Sequence, residues 1–195
     1  MKKIITVSRE FGAGGAEIGR KVAEKLDFIY LDKTLILQAA ADENIAVAKV
    51  FKNDETTPDL SGFTQALFDF YNAPINEQVF YAQKKVILGY AEQGNCVIVG
   101  RNANNILSEF DDALHVFVRA DTYWRVRRLK KEKMQAYSEE KIMSYLEKVD
   151  KKRHKYCSYY TNTEFGNSKY YDICLNTSKI AIDDCVKIIC ETAAI

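Results

Sequence analysis

The chain is predicted to be an α/β protein built on an open parallel sheet. Three observations lead there. Five short apolar runs read as buried strands, helical patterns separate most of them, and a cluster of glycines joins the first run directly to a helix. In chain order, Ile4-Ile5-Thr6-Val7 is the first run, and it breaks at Gly12-Ala13-Gly14-Gly15. Ile18, Val22 and Leu26 then recur at i, i+4 and i+8, the spacing of an amphipathic helix. Phe28–Leu31 is the second strand and ends on Asp32-Lys33. From Lys33 to Gln93 there is no strand pattern; helices around a polar loop at Lys52–Ser61, with Pro58 and Pro74, are expected. Cys96–Val99 and Ala113–Val118 are the next strands. A long basic helical excursion fills Lys130 to Asn167, Tyr170–Leu175 is the last strand, and Ile182, Val186, Ile189 and Ala193 mark a closing helix. Both excursions would leave from the C-terminal edge of the sheet, where open α/β folds bind ligands.

Composition sets the bounds. A chain of 195 residues, 47% hydrophobic, can bury one sizeable core. A net charge of +1 gives no general attraction to nucleic acid or to an anionic membrane. The charge is uneven, however. Asp121 to Lys155 holds twelve Lys/Arg against six Asp/Glu, which leaves a net −5 on the rest. A basic arm on an acidic body points to a local anionic ligand. Five cysteines without a CxxC pair read as reduced thiols, and Cys96, Cys174, Cys185 and Cys190 fall in apolar runs as small core residues. No apolar run reaches the roughly 20 residues of a membrane helix, and the apolar start fails at Ser8-Arg9, too early for a signal peptide. A cytoplasmic protein is expected.

The glycine cluster carries most of the chemistry. A strand, a glycine turn and a helix N-terminus together present unpaired backbone N–H groups and a positive helix end, a natural seat for phosphate. The same glycines would also let the helix pack closely on the strand. Laid from Arg9, the phosphate-loop template G-x-x-x-x-G-K-[ST] meets Arg9, Gly14, Gly15 and Ala16 at its fixed positions. Only the second glycine agrees; the lysine and the Mg²⁺-binding hydroxyl are replaced by Gly15 and Ala16. A dinucleotide fingerprint from Gly12 fails at Glu17, which disfavours an NAD-dependent oxidoreductase even though Asp32 stands near the ribose-binding distance.

Val97-Ile98-Val99-Gly100-Arg101 sets an arginine at a strand end, as a donor fork for phosphate or as a surface cap. Asp32 reads as a ligand contact or as the N-cap of a helix. Ile142, Leu146, Val149 and Arg153 form one helical stripe, so Arg153 requires a buried anionic partner, for which Asp150 is the nearest choice. Arg125 and Arg128 share a face of the preceding helix, which Asp121 would cap. His115 is expected to be a hydrogen-bonded core residue, and His154 has no assigned role. No metal-ligand spacing or Ser-His-Asp order is present in the sequence.

In combination these segments resemble the cytidylate kinase-like family, a nucleoside monophosphate kinase branch of the P-loop NTPase superfamily. The residues are Ile-Thr-Val-Ser-Arg-Glu-Phe-Gly-Ala-Gly-Gly (5–15), Tyr-Leu-Asp-Lys (30–33), Val-Ile-Val-Gly-Arg (97–101), Asp150-Lys-Lys-Arg153 with Tyr159-Tyr160-Thr161, and Tyr-Asp-Ile-Cys-Leu-Asn-Thr-Ser (171–178). The resemblance implies a single domain over 1–195, a three-layer αβα sandwich on a five-stranded parallel sheet. Its core would be 1–32, 94–129 and 168–195, with a helical NMP-binding insertion at about 33–93 and a helical lid at about 130–167. It implies an ATP- and Mg²⁺-dependent kinase of a nucleoside monophosphate, CMP or dCMP first, with no nucleic acid polymer or membrane partner. Arg9, Gly12, Ala13, Gly14, Gly15 and Ala16 would hold the donor phosphates; Asp32, Lys33 and Arg101 the acceptor; Arg125, Arg128 and Arg153 would neutralise the transferring group. Mg²⁺ would be held through nucleotide phosphates and water. Two departures oppose turnover: Ala16 replaces an arginine common in this branch, and Val99 the aspartate that relatives carry before Gly-Arg. A nucleotide-binding protein that keeps the fold but is catalytically weak or dead is the alternative. Arg9, Arg20 or Lys21 would have to supply the missing cation.

Overall fold

The computed structural model describes residues 2–43 and 77–195, so the loop expected at Lys52–Ser61 and both prolines lie outside the described residues. The strands are β1 (Ile4–Arg9), β2 (Ile29–Leu31), β3 (Cys96–Val99), β4 (Ala113–Arg119) and β5 (Ile173–Asn176). The helices are α1 (Gly15–Leu26), α2 (Lys33–Glu43), α3 (Glu77–Gln93), α4 (Ala103–Ile106), α5 (Thr122–Glu132), α6 (Glu139–Thr161) and α7 (Ile182–Ala193). All strand pairs are parallel, in the order β2-β3-β1-β4-β5. β1 is central, and its Ile-Ile-Thr-Val run is buried because helices cover both faces of the sheet.

Alternation along β1 separates two cores. Ile5 and Val7 face α1 and α7, where Ile18, Val22, Cys185 and Ile189 close one layer. Ile4 faces the other side with Ile36, Ile87, Ile98 and Leu107. A third cluster, Val126, Leu129, Met134, Ile142 and Leu146, joins α5 to α6. The predicted stripe Ile142-Leu146-Val149-Arg153 is buried along its length.

Three expectations are corrected. The last strand starts at Ile173, because Asn167 accepts from Lys169 N at 3.1 Å and winds Ser168–Tyr170 into a 3₁₀ turn first. The second strand is only Ile29–Leu31, since Phe28 N still bonds the end of α1. Cys174 is exposed on the edge strand β5, whereas Cys96, Cys185 and Cys190 are buried as expected and Cys157 joins them; all five thiols are free. No helix among the described residues is long and apolar enough to cross a membrane.

His115 is structural, as expected: its Nδ1 lies 2.8 Å from Thr6 Oγ1 between β4 and β1. Burial lowers its pKa below the usual 6.5, against the opposing pull of Asp172. A depressed folded pKa means that the unfolded chain binds the proton more readily. Stability from this residue is therefore complete above pH 6.5 and is lost as pH falls through the folded value. Denaturant unfolding at pH 7.5 and 5.5 should show a loss on acidification that His115→Gln reduces; an unchanged loss in the variant removes His115 as its source.

Candidate functional site

The site is assembled where the C-terminal ends of β1 and β3 open, at the switch in strand order. Beyond β1 the chain turns through Gly12 (φ +80°) and Gly14 (φ +89°), left-handed conformations that favour glycine. Gly14 is the N-cap of α1 and offers no side-chain bond, so the first N–H groups of that helix have no cap of their own. Three separate elements hold the loop by its carbonyls. Arg153 Nη1 from α6 donates to Arg9 O at 2.6 Å, Arg125 Nη1 from α5 to Phe11 O at 3.2 Å, and Thr177 Oγ1 beyond β5 to Ala13 O at 2.8 Å. From α6, Asp150 also accepts from Phe11 N at 2.8 Å.

Asp150 is therefore not the partner of Arg153 that helix spacing indicated. Its carboxylate takes Arg125 Nη1 at 2.5 Å, while Arg153 turns to the Arg9 carbonyl. Intra-helix spacing could not reveal this, because the competing partners come from α5 and the loop. Arg125 Nε also stands 3.7 Å from Glu10, whose carboxylate accepts from Ala120 N at 3.0 Å. Arg128 lies beside the loop: a Cβ at Gly14 would come within 2.6 Å of its Nη1. It pairs with Glu17 at 2.5 Å and Glu132 at 3.2 Å. Burial pushes the Glu17 carboxyl up, but hydrogen bonds from Arg128 and Lys21 outweigh it and the net shift is downward. Asp121 occupies the N-cap of α5 without the expected side-chain bond.

Arg9, Arg101 and Arg153 come together around a cavity of about 20 Å³, room for one water, with Ser8, Asn102, Tyr156 and Phe165. The wall after β3 is strained. Gly100 (φ +87°), Arg101 (φ +57°) and Asn102 (φ +55°) are successive left-handed residues, and the last two lack glycine's freedom. That turn buries Arg101, with its guanidinium 5.5 Å from the Tyr156 ring centre; it is no surface cap. Asn102 Nδ2 and Arg153 Nε are buried donors without an acceptor among the described residues. Donors in excess suit an oxygen-rich, anionic ligand.

Arg9 crosses the loop. A Cβ on Gly15 would lie 2.5 Å from Arg9 Cβ and 2.8 Å from its Cγ, and a Cβ on Gly100 would collide with its Nη1. Arg20 lies over the Tyr30 ring at 5.1 Å, and Lys21 bonds Asp183 at 2.7 Å and Glu17 at 3.2 Å. Ala16 is exposed at the start of α1. Asp32 Oδ1 accepts from Thr34 N at 2.9 Å and Leu35 N at 3.2 Å, the capping alternative, and with Lys33 it stands outside the arginine cavity.

Sequence reasoning missed Ser8, Asn102, Tyr156 and Phe165. Tyr156 was within reach, since it follows Arg153 by three residues on one helix face. Asn102 and Phe165 depend on turns that have no sequence period.

A family model described as the cytidylate kinase-like family matches residues 4–179. No match is found among curated proteins. Among solved structures, an uncharacterized protein from Eubacterium ventriosum is 24% identical, with a TM-score of 0.76 and 98% of each chain covered. Shikimate kinase from Bacteroides thetaiotaomicron is 14% identical, with a TM-score of 0.60 and 100% of each chain covered. Shikimate kinase from Acinetobacter baumannii in complex with shikimate is also 14% identical, with a TM-score of 0.53 over 98% of this chain and 93% of that one. These likenesses establish the P-loop kinase-like fold.

Proposed function

The chain belongs to the cytidylate kinase-like family, and from that premise we propose that it transfers the γ-phosphoryl group of ATP to a nucleoside monophosphate, CMP or dCMP first. Family membership supports a function of the nucleotide-kinase type. The single observation that carries the finer reading is the convergence of Arg9, Arg101 and Arg153 on one cavity beside an uncapped helix N-terminus. Phosphoryl transfer needs little covalent chemistry from the protein; it needs positioning and charge stabilisation, and this arrangement is built for both.

In this reading the donor phosphates lie against Gly12 to Ala16 at the positive end of α1. The acceptor phosphate meets Arg101, with Asp32 and Lys33 further along the same edge. Arg153 belongs to the lid on α6, and movement of that helix would widen the cavity for substrate. Arg125 acts as a positioning residue through Phe11 and Asp150, while Arg128 would exchange a glutamate for phosphate when it acts on the transferring group. The phosphate seat fits ATP, but a protein-held metal does not fit as well. No group of three or more His, Cys, Asp or Glu that could hold a metal ion occurs among the described residues, and Ala16 and Val99 offer no side-chain oxygen. Mg²⁺ would enter with the nucleotide, and no step is routed through a protein-bound ion.

A coupled ADP-release assay across the nucleoside monophosphates tests the proposal; no turnover with any acceptor would remove it. The second reading, a nucleotide-binding protein with little or no turnover, is favoured by the methyl group of Ala16 and by Val99. ATP binding without turnover is its signature. Arg101→Ala should raise the acceptor KM about 10- to 100-fold, the value of a lost charge-assisted bond, with a far smaller effect on ATP. Equal weakening of both ligands would move Arg101 out of the acceptor site.

A further inference from the structure

Resting on the phosphoryl-transfer reading above, we propose that Arg9 is the phosphate-contacting cation of this site, supplied from the end of β1 in place of the lysine that α1 lacks. Of the chain's three departures from the phosphate-loop template, two are reciprocal: arginine where the template has its first glycine, and glycine where it has lysine. The geometry joins the two departures. The Arg9 stem lies over Gly15, with Cβ and Cγ 2.5 and 2.8 Å from where a side chain would begin, so the arginine fills the space in which a lysine at 15 would start. Its guanidinium reaches Gly100, where a side chain would again collide with it, and lines the cavity shared with Arg101 and Arg153. One arginine thus accounts for glycine at two distant positions.

The rival cations lie elsewhere. Lys21 is directed to Asp183 and Glu17, and Arg20 to Tyr30. Arg125 and Arg128 are bound to carboxylates. Arg9 differs from all four in position, because its charge stands between the glycine loop and Arg101, where donor and acceptor phosphates would meet. A guanidinium there bridges oxygens of both, a geometry that its planar fork suits better than an ammonium does.

The test compares Arg9→Gln, Arg9→Lys and Lys21→Gln in the full chain. ATP binding is measured by calorimetry, and turnover with the best nucleoside monophosphate in parallel. Arg9→Gln should weaken ATP at least 10-fold and lower kcat about 100- to 1,000-fold. Arg9→Lys should recover part of the affinity, and Lys21→Gln should change it less than twofold. ATP affinity within twofold of wild type in Arg9→Gln, or the larger loss in Lys21→Gln, overturns the assignment. Failure of the kinase reading is separable: wild type that turns over no acceptor but binds ATP in an Arg9-dependent manner keeps Arg9 as the cation.

Discussion

Gly15→Lys, alone or with Ala16→Ser, is expected to weaken ATP binding, although it restores the letters of an orthodox phosphate loop. A Cβ at 15 comes 2.5 Å from Arg9 Cβ, an atom fixed to the backbone that no rotamer change can withdraw. Strand β1 and helix α1 would have to separate, or the Arg9 side chain would be driven from its place over the loop. Overpacking of this kind costs about 1–3 kcal/mol before any loss of ligand contacts. The expected result is at least a 10-fold weaker ATP dissociation constant, read by calorimetry, and a lower melting temperature. The double variant Arg9→Gly with Gly15→Lys removes the Arg9 atoms that a Cβ at 15 would meet and returns both positions to the template. It should bind ATP more tightly than either single variant, a non-additivity expected of side chains in contact. Gly15→Lys that binds ATP as well as wild type at an unchanged melting temperature would defeat the argument.

Arg125→Ala should be the most destabilising of the arginine truncations. The guanidinium is buried and satisfies the Asp150 carboxylate at 2.5 Å and the Phe11 carbonyl at 3.2 Å; Glu10 adds a longer contact. Removing it leaves Asp150 enclosed with Phe11 N as its remaining described donor. Breaking a buried pair from one side costs about 3–5 kcal/mol, far more than the net value of an intact pair. In a domain of this size that corresponds to a melting temperature lower by roughly 10 °C. Asp150→Asn keeps an acceptor for Phe11 N but strands the arginine, so it should lie between wild type and Arg125→Ala. Urea unfolding at pH 7 gives the comparison, and a loss below about 1 kcal/mol in Arg125→Ala means that the pair carries no such strain.

The fold was legible because the signals behind it are local and periodic. Ile4 to Val7 had to be buried on both faces, and the stripes of α1, α6 and α7 followed from spacing alone. The site was legible in its members but less so in its wiring. Arg153 was correctly read as buried, because a charge on an apolar stripe has nowhere else to go. Its partner was misjudged, since Asp150 is taken by Arg125 and Phe11 N while Arg153 meets the Arg9 carbonyl, at sequence separations no periodicity measures. Gly15 read as a missing lysine. Only the space above it shows that the Arg9 side chain, from six residues earlier in the chain, lies where a side chain at 15 would begin. Arg101 needed three successive left-handed residues to become buried, a turn that Gly100 alone announced.

The carbonyls of Arg9, Phe11 and Ala13, alternate residues of the loop, are each held by a different element. A loop fastened in this way has lost its conformational entropy during folding and has little left to lose to a ligand. Phosphate binding then need not supply the free energy of ordering a glycine-rich segment, which is among the costliest to order. The flexibility that glycine confers is spent on shape here, and the rigidity comes from Arg153, Arg125 and Thr177. On the phosphate-binding reading, affinity at this site should therefore be sensitive to Arg125 and Thr177, which fasten the loop from outside the arginine cavity.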